Sequence, residues 1–285
     1  MIDSAHANAK INISLDIVSK RDDGYHNLEM VMQTVDLSDE ITIKCLPGTG
    51  VSIDTELTYL PRDERNNAAK AALAFFEHTG ITGYSAEITI IKNIPVCAGL
   101  GGGSADGACV LRLLDRMFKT KLGRETLEEI GDTVGSDVPF CIDGGTKFGQ
   151  SKGEMLTDLP PIPLSHIVIC KPPFTLSTPE LFGLVKCEKI RARPDTDGII
   201  KSLEKGDIGG VARRMYNVFE DILPRGKLDI NEIKGKLLDC NALGAVMTGS
   251  GPSVFGLFEN KQTAKNAYDQ LKKDYKECYL TQTKH

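Results

Sequence analysis

Pro95-Val96-Cys97-Ala98-Gly99-Leu100-Gly101-Gly102-Gly103-Ser104-Ala105-Asp106 is the stretch on which the reading of this chain turns. Upstream of it, Ile88 to Ile91 is an apolar run that predicts a strand. Downstream, Ala105, Cys109, Leu113 and Met117 recur at helical spacing and predict a helix. A glycine-rich loop therefore leads straight into a helix N-terminus. Glycine lets the backbone approach a ligand closely and take positive φ. The first helical turn offers N–H groups without intrahelical partners, at the positive end of the helix dipole. Together these favour an anion, usually phosphate. A tight connection alone would also use glycine here. The clustering of Gly99, Gly101, Gly102, Gly103 and Ser104 favours the phosphate loop. No Gly-Lys-Ser/Thr ends it, so it is not the usual P-loop.

Composition sets the frame around that loop. A chain of 285 residues with 41% hydrophobic content has room for one large or two ordinary domains and a sizeable core. A net charge of -5 gives no support for a nucleic-acid partner. The eight cysteines form no Cys-x-x-Cys pair and fall mostly in apolar runs, so reduced, buried thiols are expected. The N-terminus reads as neither a signal peptide nor a transit peptide, and no apolar run is long enough for a membrane span. A cytoplasmic enzyme without a membrane partner is the expectation.

Taken in order, Lys10 to Ile17 alternates Ile11, Ile13, Leu15 and Ile17 with Lys10, Asn12, Ser14 and Asp16, the pattern of a half-buried strand. Lys10 and Asn12 share its polar face, which such a strand ordinarily turns to water. Asp23-Gly24 marks a turn before Tyr25 and His26. That pair could stack on and hydrogen-bond a heterocycle, or simply pack. Ile41–Ile43 and Val51–Ile53 read as a hairpin around Pro47 to Gly50, residues 66–76 as an Ala-rich helix, and residues 124–130 as a short one. Asp137, between Gly135-Ser136 and an apolar run, either caps a neighbouring element or aims a carboxylate into a cleft. Pro160, Pro161 and Pro163 suggest a boundary, giving domains of residues 1–157 and 158–285. Thr178-Pro179 opens a helix, with Thr178 as N-cap and Phe182 on its first turn. Further helices are expected over 196–205, 207–222, 229–239 and 260–275, with strands at 166–170, 245–247 and 254–258. Strands and helices mix without a strict βαβ repeat, so the class is α+β.

Ala9-Lys10-Ile11-Asn12, the Pro95–Ala105 loop and Thr248-Gly249-Ser250-Gly251-Pro252-Ser253, in this order, resemble the GHMP kinase superfamily. Arg21 to His26, Gly135 to Phe140, Arg193-Pro194-Asp195-Thr196 and Asn217-Val218-Phe219-Glu220 are similar to its branch acting on a cytidine diphosphate sugar alcohol in non-mevalonate isoprenoid synthesis. The resemblance covers nearly the whole chain. It implies a two-domain α+β GHMP fold with the active site in the cleft between domains, and transfer of the ATP γ-phosphoryl to the substrate's 2-hydroxyl. It implies Lys10 and Asp137 as the catalytic pair. Pro95, Val96, Cys97, Ala98, Gly99, Leu100, Gly101, Gly102, Gly103, Ser104 and Ala105 would wrap the ATP phosphates. Tyr25 and Phe182 would sandwich the cytosine, His26 would bond its edge, and Asn12 would lie near the reacting group. Mg²⁺ is expected with ATP, its protein ligands unknown, in a monomer or homodimer. Asn8, Ala105, Gly107, Ser136 and Cys141 depart from the common pattern without removing a catalytic group. A homoserine- or mevalonate-type kinase, and a non-catalytic nucleotide-binding protein, are the alternatives.

Overall fold

The computed structural model describes residues 1–223 and 227–285. In chain order the elements are β1 (Ile2–Lys20), β2 (His26–Pro47), β3 (Val51–Thr55), α1 (Asn67–Thr79), β4 (Tyr84–Ile91), α2 (Gly102–Phe118), α3 (Arg124–Val134) and α4 (Val138–Asp143). Then come β5 (Thr146–Ser151), β6 (Met155–Asp158), β7 (His166–Lys171), α5 (Thr178–Leu184), α6 (Thr196–Glu204), α7 (Ile208–Ala212), β8 (Tyr216–Asn217) and α8 (Phe219–Ile222). The chain closes with α9 (Lys227–Asp239), β9 (Gly244–Met247), β10 (Val254–Phe258), α10 (Lys261–Asp274) and β11 (Glu277–Gln282). Two compact units result, one from Met1–Ala9, Leu37–Val96 and Gly101–Gly144, the other from Lys10–Asp36, Cys97–Leu100 and Gly145–His285.

In the first unit, β4 lies between β2 and β3. It runs antiparallel to β2, with Glu40 opposite Ile91, and parallel to β3, with Val51 opposite Ala86. The expected hairpin of residues 41–53 is therefore absent: β3 does not return along β2 but crosses to the far side of β4. Alternation on β4 buries Ala86, Ile88 and Ile90, and β4 packs against α1. Asn66 caps α1 by accepting a hydrogen bond from the Ala68 N–H at 3.0 Å. The run Ala68, Ala69, Ala71 and Ala72 is buried and lets α1 pass close to α2. A side chain on Gly107 would meet the Asn67 carbonyl at 3.2 Å, which marks the crossing. Phe75, Phe76, Tyr84 and Phe118 close the far end of this core with mostly edge-on ring contacts.

In the second unit, four strands run in the order β11-β7-β10-β9, all antiparallel. Val254 to Phe258 is buried throughout, and α9 and α10 both pack on β10. The C-terminal residues are tied to β2, the Lys284 N–H donating to the Thr34 carbonyl at 2.9 Å. Residues 10–20 of β1 also belong here. Ser14 and Leu15 pair in parallel with Tyr216 and Asn217 of β8. That pairing breaks the single helix expected over 207–222 into α7, β8 and α8. The α5 helix starts as expected with Pro179 in its first turn, but Ser177 is its cap, accepting from the Glu180 N–H at 3.4 Å. All eight cysteines are free thiols. Six are buried, whereas Cys187 is half-buried and Cys97 is exposed in the glycine-rich loop.

Candidate active site

The glycine-rich segment is built in two parts. At its C-terminal end, Gly101 turns the chain into α2 with φ 68°, a left-handed conformation. No side chain caps this helix and its first turn carries no acidic residue. The N–H groups and positive dipole end of α2 therefore suit an anion.

The middle of the loop, Cys97 to Leu100, is fixed by hydrogen bonds within the second unit. The Lys10 N–H donates to the Leu100 carbonyl at 3.0 Å and the Ser253 N–H to the Ala98 carbonyl at 3.4 Å. The Thr248 hydroxyl accepts from the Asn12 N–H at 3.0 Å and donates to the Gly99 carbonyl at 3.2 Å. The second glycine-rich loop thus buttresses the first. Gly99 has φ 75°, and a Cβ there would stand 2.2 Å from the Thr248 carbonyl oxygen. Thr248 and Ser253 carried no assigned role in the sequence reading. Their signal was the second Gly-Ser-Gly turn.

Asn217 holds that second loop. Its amide donates to the carbonyls of Met247 and Gly249, each at 2.8 Å, and its side-chain oxygen accepts from the Phe219 N–H at 3.0 Å. Glu220 accepts the Met247 N–H at 2.7 Å and pairs with Lys234. Asn217 is buried, so Asn217→Ala leaves three backbone groups without partners. A loss of about 2–4 kcal/mol in unfolding free energy is expected. Urea denaturation checks it, and a loss below about 0.5 kcal/mol would remove Asn217 from this role.

Lys10 and Asn12 do not face water. Lys10 is 4% exposed, and Asn12 is fully buried. The Lys10 ammonium donates to Asn12 Oδ1 at 2.8 Å, and the Asn12 amide reaches the Met30 sulfur at 3.3 Å. Ser14 and Asp16, on the same strand face, are buried too. Asp16 accepts from Arg193 at 2.7 Å, which accounts for an arginine at the head of residues 193–196. Asp137 stands at the N-cap position of α4, but its carboxylate makes no capping hydrogen bond. Capping of α4 therefore does not account for this Asp.

His26 is buried and stacks on Phe182, with ring centroids 5.2 Å apart and planes 27° apart. Phe182 meets Phe219 edge-on at 5.0 Å. Burial pushes the His26 imidazole below its ordinary value, and Lys20 adds to the shift. A neutral imidazole offers one donor and one acceptor, as recognition of a base edge requires. Tyr25 is 61% exposed, with the Lys152 ammonium 5.8 Å from its ring centroid. Among the described residues, no three His, Cys, Asp or Glu side chains are grouped to hold a metal ion. No described helix is long and apolar enough to cross a membrane.

Comparison with known proteins defines the class. The model for the GHMP kinases N terminal domain matches residues 66–145, and that for the GHMP kinases C terminal matches 199–277. These matches and the α+β fold make the chain a small-molecule kinase of GHMP type. The protein called 4-diphosphocytidyl-2-C-methyl-D-erythritol kinase in Clostridium botulinum (strain Kyoto / Type A2) is 44% identical over 283 residues, 99% of this chain and all of that one. A crystal structure of 4-(cytidine 5'-diphospho)-2C-methyl-D-erythritol kinase matches with a TM-score of 0.81 at 27% identity, over 99% of this chain and all of the other. A homoserine kinase from Cytophaga hutchinsonii matches with a TM-score of 0.76 at 20% identity, over 99% of this chain and 94% of the other, a likeness of fold alone. The chain belongs to the 4-diphosphocytidyl-2-C-methyl-D-erythritol kinase family, whose name places it in isoprenoid precursor synthesis.

Proposed function

We propose that the protein transfers the γ-phosphoryl of ATP to the 2-hydroxyl of 4-diphosphocytidyl-2-C-methyl-D-erythritol, with Asp137 as general base and Lys10 as its cationic partner. The observation that carries this reading is the burial of Lys10 and Asn12, joined at 2.8 Å on a strand whose Lys10 N–H is bonded to the glycine-rich loop. Burying an ammonium is costly without partners, and this one is held by Asn12 on a strand whose backbone is bonded to Leu100 of the glycine-rich segment.

Phosphoryl transfer asks the protein mainly for position and charge stabilisation. In this reading residues 95–105 and the α2 N-terminus hold the triphosphate. Asp137 takes the proton of the acceptor hydroxyl across a hydrogen bond of about 3 Å. Lys10 stabilises negative charge on Asp137 or on the transferring oxygens. Mg²⁺ bound with the nucleotide would supply neutralisation of phosphate charge, and since no described group of His, Cys, Asp or Glu side chains is placed to hold it, phosphate oxygens and water would be its ligands. Tyr25 and Phe182 stack on the cytosine, and the neutral His26 bonds its edge. Stacking is tolerant of base identity, so the edge contact selects cytosine.

The deciding experiment is an ATP-dependent kinase assay on 4-diphosphocytidyl-2-C-methyl-D-erythritol, with homoserine and mevalonate alongside. Turnover of the cytidyl substrate alone supports the proposal, and turnover of either other alcohol in its place overturns it. Tyr25→Ala tests the stacking. Substrate Kd should weaken by the equivalent of about 1–3 kcal/mol while the Kd for ATP holds. Calorimetry reads both values, and an unchanged substrate Kd takes Tyr25 out of the pocket.

A further inference from the structure

Three charged side chains outside the proposed catalytic pair are buried together within the first unit. The Lys92 ammonium, its side chain 6% exposed, lies 2.5 Å from Asp39 and 2.8 Å from Asp106. Asp39 is fully buried and also accepts the Asn93 and Ile94 N–H groups at 2.6 and 2.8 Å. Asp106 has no such support, and its Oδ1 is buried without a hydrogen-bond partner. Lys92 directly follows β4, while Asp106 lies in the second turn of α2. The glycine-rich loop is the chain between them.

This arrangement is expensive for a purely structural device. A buried ion pair rarely gains over apolar packing, and here a second carboxyl group is buried beside it. Its placement gives it a use. The ion pair joins Lys92, three positions before the loop, to Asp106, the residue after it, while Asp39 anchors the segment after β4 through the Asn93 and Ile94 N–H groups. A side chain on Gly102 would come within 3.4 Å of the Lys92 nitrogen, so the ammonium sits against the start of α2.

We infer that Lys92, held between Asp39 and Asp106, is a positioning residue for ATP, fixing the span of the glycine-rich loop and the seat of the α2 N-terminus. This rests on the proposal that residues 95–105 hold the nucleotide. Lys92 touches no reacting atom. It acts through the loop it closes.

The same cluster gives the positioning a pH dependence. Lys92 and Asp39 are the charged groups that face Asp106. On α2 itself Cys109 also feels it, with a thiol that burial pushes up to about 11 and so keeps uncharged. Burial, reinforced by Asp39, pushes Asp106 up to about 7 against the pull of Lys92. The two carboxylates in turn favour the charged form of Lys92. The Asp106 value is raised in the folded state. The stability it contributes is therefore complete below the ordinary value of 3.8 and is lost as pH climbs through about 7. Below about 7 Asp106 is protonated, and above it Asp106 adds a negative charge to the cluster beside the start of α2.

The test compares the full-length protein with Asp106→Asn from pH 6 to 8.5, reading KM for ATP and kcat. Asparagine fixes the neutral state. The ratio of the wild-type to the variant KM is expected to rise about three- to tenfold across that range, with the kcat ratio moving less. Titration of ATP itself cancels in the ratio. Calorimetric ATP binding by Lys92→Met is expected to weaken about tenfold. A KM ratio flat with pH overturns the inference, as does a folded Lys92→Met that binds ATP like wild type. If Lys92→Met fails to fold, the Asp106→Asn comparison decides alone. Gly101→Val separates the two readings. Unchanged ATP binding in that variant sinks the nucleotide loop, and the clamp with it. Lost binding there, beside a flat KM ratio, sinks the clamp alone.

Discussion

Asp137→Asn is expected to lower kcat by about 10²–10⁴-fold while the Kd for ATP stays within about twofold of wild type. Asparagine keeps the size and one oxygen of the carboxylate but does not accept the hydroxyl proton. The loss should therefore fall on the chemical step. The fold gives this substitution a clean reading. Asp137 occupies the cap position of α4 without making the capping hydrogen bond. Removing its charge thus takes no cap from α4, where losing a working cap costs about 1 kcal/mol. Single-turnover phosphorylation of the cytidyl substrate, beside calorimetric ATP binding, separates chemistry from affinity. A variant that keeps more than about a tenth of kcat would exclude Asp137 as the base. A variant that loses ATP binding in parallel would move Asp137 from proton transfer to nucleotide positioning.

Residue pattern alone carried the reading a specific distance. Ala105, Cys109 and Leu113 repeat every four residues and are buried on α2, so the helix after the glycine loop was legible from spacing. The Ala-rich run made residues 66–76 legible as a helix, but not Asn66 as its cap, which the structure shows. The alternation from Ile11 to Ile17 showed that Lys10, Asn12, Ser14 and Asp16 share a face. It did not show what covers that face, and all four are buried. Period two reports which side chains stand together, not whether water or protein meets them. The strand order was hidden for a similar reason. Residues 41–43 and 51–53 are neighbours in sequence, but Tyr84–Ile91 takes the place between them, a long-range choice that no local turn signal records. Residues 207–222 read as one helix until Asn217 is seen spending its amide on two carbonyls of the second glycine loop. The site residues themselves came from motif resemblance. The supports of Thr248, Asn217 and Lys92 emerged only from coordinates, because each acts on a segment far away or across a loop.

Gly99→Ala is expected to raise KM for ATP by at least about tenfold and to cost about 2–4 kcal/mol of stability. Two terms add. At φ 75° an alanine is in the left-handed region, which costs about 1–2 kcal/mol for a residue with a Cβ. That Cβ would also lie 2.2 Å from the Thr248 carbonyl oxygen and 2.9 Å from the Gly251 nitrogen. Both are backbone atoms, so no rotamer change relieves the clash and the two glycine-rich loops must separate. Separation also strains the Thr248 hydroxyl, which links Asn12 to Gly99. Gly80→Ala isolates the first term. Gly80 has φ 65° at the end of α1, and nothing stands within 4 Å of an added Cβ. Its alanine variant should show the conformational cost alone, with KM for ATP unchanged. Denaturant unfolding and ATP kinetics on both variants make the comparison. If Gly99→Ala matches Gly80→Ala in both readouts, close contact between the two loops does not govern nucleotide affinity. If it exceeds Gly80→Ala in stability alone, the loops are coupled for folding, and the phosphates are held from the α2 side.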